Sequence, residues 1–231
     1  MSNYYEELKK FEDGFLRDVS NHELTILRDE QLEGPTDNEG TGPAYRHLRI
    51  AAPNTGNMHY EIISVPYYLT MVGDMGSWTW SRLKDNFCFF RAHPEVYSRI
   101  EKDDGRKLAI NPGYWAEKLQ SFDRQGLTEF SEDIFKENVI TAYQSWLDDT
   151  DPDIETRNEA KEDIRMYLLC GFSNEYEARQ AINDFDNEAL KPYFEDAWEW
   201  NYTEYTRHYY WACFAVAHAI KEYDIITGDF K

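Results

Sequence analysis

MHYEIISVPYYLTMVGDMGSWTWSRL, residues 58–83, decides the fold. Two β-rich runs are separated by Pro66, and a third follows the turn Gly73-Asp74-Met75-Gly76. The two glycines permit a positive φ at a hairpin, and Trp78 and Trp80 then fall on one face of the strand that follows. Pro66 has no N–H to give a ladder, so it belongs at the bend between two strands. The stretch predicts an antiparallel meander.

Towards the N-terminus, AYRHLRIAAP (44–53) and HELTILRD (22–29) also alternate with period two, which brings the meander to about five strands. Between them the segment 30–43, rich in Gly, Pro and acids, cannot continue a strand and is expected to be a mobile acidic loop. Tyr4, Leu8, Phe11 and Phe15 recur at helical spacing, and Gly14 weakens that helix. Towards the C-terminus the pattern turns helical after Arg82. DNFCFFRAH carries Phe87 and Phe90 three apart, and Asn111-Pro112 opens a helix through GYWAEKLQSFD. Ser131, Asp151-Pro152-Asp153 and Ser173 each open another, and a last helix over residues 193–223 is ringed with aromatics, the pattern of a helix that others pack around. The expectation is one α+β domain over 1–231: an N-terminal helix (1–20), an antiparallel β-meander (21–83), and about five or six helices (84–231) packed against it.

The chain has 231 residues, enough for a substantial core, and aromatics make up 16% of it, too much large apolar surface for a disordered acidic chain. Three cysteines without a CxxC pair suggest reduced thiols, with Cys170 and Cys213 expected to be buried. The longest apolar run, residues 209–220, is twelve residues and includes His218, which suits a core helix and not a membrane span. The start of the chain lacks the pattern of a signal peptide.

Net charge is -20, distributed as -7 over residues 1–43, +2 over 44–110 and -15 over 111–231. Such a chain is repelled by phosphate backbones and anionic membranes, which disfavours free nucleic acid and membranes as partners and favours a basic protein surface. The candidate acidic face is Asp148, Asp149, Asp151, Asp153, Glu155, Glu159, Glu162 and Asp163. From Asp151 to Glu162 the acids imitate a calcium loop, but the turn glycine is missing and Pro152 occupies the second position, so a helix start explains them better.

No metal or cofactor is implied. None of the six histidines has HxH, HExxH or ExxH spacing, and GTG at 40–42 lacks the third glycine of a dinucleotide fingerprint. Glu204 and His208 are four apart, the spacing of a surface contact on one helix. His22, His47 and His59 fall near strand ends, and a small enzyme would place His47, His59, Asp74 and Arg82 in one pocket there. Tyr67, Tyr68, Trp78 and Trp80 beside Arg46, Arg49, Arg82 and Lys84 offer a stacking clamp for single strands, against the plainer reading that the aromatics are core.

YRHLRI (45–50), VPYYLTMVGDMGSWTWSRLKDNFCFFR (65–91), INPGYWAEKLQSFDR (110–124) and YYWACFAVAHAIKEYD (209–224) together resemble a family of bacteriophage and prophage accessory proteins of unknown function. The shared signature is a Gly-Asp-x-Gly hairpin leading into Ser-Arg-x-x-Asp-x-Phe-x-Phe-Phe. The chain departs from it at the bend Val65-Pro66-Tyr67-Tyr68 and in the longer loop 30–43. The resemblance implies an accessory protein in the cytoplasm of an infected bacterium and supplies no reaction. Charge and setting together lead to the expectation of an interaction protein that blocks the basic surface of a host nucleic-acid-binding defence complex, of restriction or CRISPR type. The alternatives are a small enzyme and a replication or regulatory partner. Trp- and Tyr-rich surfaces could also build a homodimer.

Overall fold

In the computed structural model, which describes residues 2–228, the stretch 58–83 forms three antiparallel strands joined by two tight turns. In chain order they follow α1 (Ser2–Asp18), β1 (Glu23–Gln31) and β2 (Ala44–Ala51), and are β3 (Tyr60–Val65), β4 (Tyr68–Gly73) and β5 (Gly76–Ser81). Pro66 and Tyr67 make the first turn, with Tyr67 held at φ 72. At the second turn Gly76 has φ 95, whereas Gly73 serves a different need from the expected one. A Cβ on Gly73 would lie 2.2 Å from the His59 carbonyl oxygen and 2.8 Å from the Tyr60 Cα, so that glycine permits close approach of two backbones.

The loop 30–43 is tied down. The Asp37 carboxylate accepts from the backbone N–H of Thr41 (2.8 Å), Glu39 (3.0 Å) and Lys84 (2.8 Å), and from the Thr41 hydroxyl. The Thr41 hydroxyl and these backbone donors hold the carboxyl well below the usual carboxylate range.

Asp85 caps α2 (Asn86–Phe90), accepting from Phe87 N at 3.1 Å, and His93 caps α3 (Pro94–Asp103). Asn111 caps α4 (Pro112–Ala116) as its sequence suggests, but the helix stops after five residues. The expected continuation is instead β6 (Leu119–Ser121), which pairs with β5 and completes a six-stranded antiparallel sheet in sequence order.

Two compact units make up the chain, where length suggests one: Met1–Leu127 with Thr206–Lys231, and Thr128–Tyr205. The second unit contains β7 (Thr128–Phe130), α5 (Glu132–Thr150), α6 (Ile154–Tyr167), α7 (Glu175–Asn183), α8 (Lys191–Phe194) and β8 (Thr203–Tyr205), with β7 and β8 paired. Its core is its own: Phe135, Trp146, Ile164, Leu168, Leu190 and Tyr202 are among the side chains buried together there. The chain then enters α9 (Arg207–Thr227) of the first unit. The single helix expected over 193–223 is therefore α8, a short 3-10 turn, β8 and α9. Aromatic spacing in 193–205 fits turns as well as a helix, and the pairing of β8 with β7 decides between them.

In the first unit α9 packs against α1, α2 and strands β1, β3, β4 and β5, as its all-round apolar sequence predicts. Trp211 meets Phe15 and Tyr60 edge-on (5.0 and 5.3 Å), Tyr209 lies against Trp78 (5.4 Å), and Trp80 meets Phe90 (5.6 Å). Each such buried side chain contributes about 1.5–3 kcal/mol over the exposed state. Charged groups also enter this core. Arg46, 7% exposed, donates to Asp85 at 2.6 Å and stacks on the rings of Phe87 and Tyr223, and Tyr223 donates to Asp29 at 2.7 Å.

Candidate functional site

Most of the net negative charge belongs to one unit. Residues 128–205 hold 21 acidic against 6 basic residues, a net -15, while the remaining 153 residues carry -5. The acids of the candidate face sit at the end of α5, at the α5–α6 turn and along α6. Several are occupied locally. Asp151 closes α5 in the left-handed conformation and lies 3.6 Å from Arg157, and Asp153 caps α6 through Glu155 N and Thr156 N. Those backbone donors lower the Asp153 pKa, with the Thr156 N–H foremost. Glu162 holds Arg165 in a bidentate pair, Asp163 accepts from Asn187 Nδ2 at 2.7 Å, and Asp149 accepts from the Tyr193 hydroxyl at 3.2 Å. Asp148, Glu155 and Glu159 are solvent-facing, the last two one helical turn apart on α6. The same unit exposes large side chains that its own core does not use: Tyr176 (75% exposed), Trp198 (70%), Tyr167 and Met166. Exposed Trp and Tyr are the residue types enriched at the energetic centres of protein–protein interfaces.

The sheet residues do not converge. His59 and Asp74 meet at one end: His59 Nδ1 lies 3.1 Å from Asp74 Oδ1 and 2.6 Å from the Gly56 carbonyl oxygen, so that nitrogen is the proton donor. His22 is at this end too, its Nε2 3.1 Å from the carbonyl oxygens of Asn57 and Met58. Arg82 is at the opposite end, 3.3 Å from Glu39 of the pinned loop. The length of β4 separates the two ends, about 17 Å at the usual rise per residue. His47 stands mid-strand on the outer face, paired with Glu61 at 2.6 Å.

The stacking clamp also dissolves. Trp78, Trp80 and Arg46 are buried in the core, and of the proposed aromatics only Tyr67 and Tyr68 are exposed. Glu204 lies on β8 and not on a helix with His208, so their four-residue spacing does not place them on one helical face. Cys170 is exposed where its apolar neighbours suggested burial, Cys88 is exposed as well, and Cys213 is buried, its thiol pushed up by that burial.

One polar pair escaped the sequence reading. Tyr60 and His218 share a 2.8 Å hydrogen bond. Burial, with Lys221 and His22 adding to it, lowers the His218 pKa to about 4, and burial together with Glu222 raises that of Tyr60. His218, His22 and Glu222 line a small cavity of about 230 Å³. No group of three or more His, Cys, Asp or Glu among the described residues could hold a metal ion, and none of their helices is long and apolar enough to cross a membrane.

Comparisons with protein-family models, with curated proteins and with solved structures returned no match to this chain.

Proposed function

We propose that this is a phage accessory protein that inhibits a host nucleic-acid-binding defence complex, of restriction or CRISPR type, by presenting the acidic unit 128–205 to the complex's phosphate-binding groove. The observation that carries the reading is the charge partition: -15 of the chain's -20 lies in one compact unit with its own core. Lysines and arginines arranged to neutralise phosphates attract any surface of comparable negative density, and such association is fast and weakens steeply with salt. Tyr176 and Trp198 supply apolar contact area that charge alone does not.

The test is affinity capture from a bacterial lysate at low and high salt, with and without competing duplex DNA and RNA. The reading expects a nucleic-acid-binding complex that nucleic acid and salt both displace. It also expects loss of capture with Asp148→Lys, Glu155→Lys and Glu159→Lys combined. Capture indifferent to those reversals, or no captured complex at low salt, overturns it.

A further inference from the structure

A large cavity lies in the first unit, among α1, α3, α4 and the segment 104–111, with a volume of about 1230 Å³. That exceeds what a drug-sized ligand needs. Its charge runs against that of the chain. Five basic side chains line it, Lys9, Lys10, Arg91, Arg99 and Arg106, against three acids, Glu6, Asp103 and Asp104, whereas the whole chain has 24 Lys and Arg to 44 Asp and Glu.

The five bases divide by what already holds them. Arg106 is buried and locked on Asp104, with Nη2 2.9 Å from Oδ2, and its guanidinium lies over the Tyr5 ring at 5.6 Å. Arg91 is clamped in a bidentate pair with Asp224 at 2.6 and 2.7 Å, and Lys9 is held by Glu12 and Asp13. These three cations are already neutralised by carboxylates of the chain. Lys10 and Arg99 are exposed and have no ion pair among the described residues, so they are the cations an incoming anion meets.

Planar apolar surface is present beside them. Phe89 packs against Phe90 (4.7 Å) and Tyr114 (5.5 Å), Phe90 against Trp115 (4.7 Å), and the half-exposed rings of Tyr4, Tyr5 and Tyr114 face solvent. A ligand that satisfies both features carries a phosphate for Lys10 and Arg99 and an aromatic ring for the tyrosines. Asp103 supplies acceptors for sugar hydroxyls. We infer that this cleft is a binding site for a nucleoside phosphate. A lipid tail fits poorly against a wall of ion-paired arginines, and inorganic phosphate leaves the aromatic surface unused.

Isothermal titration of the full chain with each of the four ribonucleoside triphosphates, with adenosine and with tripolyphosphate tests the site. At least one nucleotide should bind saturably, and adenosine and tripolyphosphate each at least about tenfold more weakly, since each keeps half of the recognition. Lys10→Glu with Arg99→Glu should lower nucleotide affinity by about tenfold or more and leave adenosine unaffected, and Tyr114→Ala should weaken both nucleotide and adenosine. All three positions are solvent-facing, and circular dichroism of each variant checks that the fold is intact. No saturable binding of any nucleotide up to about 1 mM, or binding that survives both changes, overturns the assignment. These substitutions lie outside residues 128–205, so their outcome is independent of the inhibitor reading.

Discussion

Tyr60 of β3 and His218 of α9, 158 residues apart in the chain, are joined by a 2.8 Å hydrogen bond inside the first unit. The bond ties the sheet to its central helix, and burial of the ring, with Lys221 and His22 adding to it, keeps the imidazole neutral. The unfolded chain takes up a proton at this histidine as pH falls below 6.5, and the folded chain does so only near 4, so between those values the unfolded state binds more protons. Stability should fall by about 3 kcal/mol as pH drops through that window. Urea unfolding at a series of pH values reads the slope. His218→Gln keeps an acceptor for Tyr60 without a titrating group and should flatten it. An unchanged slope would show that other groups set the pH dependence.

Arg46 is the second buried commitment. Its guanidinium is neutralised by Asp85 and sandwiched by Phe87 and Tyr223, so Arg46→Met leaves an unpaired carboxylate in the core and should cost about 3–5 kcal/mol. Asp85→Asn added to it should restore part of that loss. Chemical denaturation of both singles and the double gives the coupling, and strict additivity would mean that the pair does not interact in the folded state.

Gly73→Ala and Tyr67→Gly separate two kinds of turn constraint. A methyl at 73 strikes the backbone of His59 and Tyr60, which cannot swing aside, and should cost about 3 kcal/mol. Tyr67 already occupies a left-handed conformation that disfavours side chains, so glycine there should be neutral or stabilising by about 1 kcal/mol. Thermal melts of the two variants should therefore move in opposite directions or differ sharply in size.

Thiol labelling of the native protein should modify Cys170 first and Cys88 more slowly, because the Cys88 thiol, though its residue is exposed, is partly desolvated and lies beside Asp85, and both disfavour the thiolate. Cys213 should label only on unfolding. Rapid modification of all three without denaturant would contradict the placement of α9 in the core.

The meander was legible because its signals are local: period two, Pro66 at one bend and glycines at the other. β6 was not, because Leu119–Ser121 becomes a strand only by pairing with Thr79 and Trp80, some 40 residues earlier. The same holds for β8, paired with β7 across the whole second unit. Charge counting found the acidic half but not its borders, since Thr128 and Tyr205 bear no mark of a boundary. The proposed sheet pocket failed for a geometric reason. In a meander successive turns lie at opposite ends, so residues at neighbouring turns, such as Asp74 and Arg82, are placed far apart by the strand that brings them close in sequence. The basic cleft went unread because its cations come from α1, α3 and two loops, each unremarkable by itself.

Thr128 pairs with Tyr205, and the next residues out, Leu127 and Thr206, share a 3.0 Å backbone hydrogen bond. The chain thus leaves for the acidic unit and comes back through adjacent positions, in the manner of a cassette set into a continuous host. Joining 127 to 206 through a short turn leaves every strand of the six-stranded sheet and the whole of α9 with its sequence uninterrupted. Every residue of the sheet, its central helix and the cleft lies on the host's side of that junction.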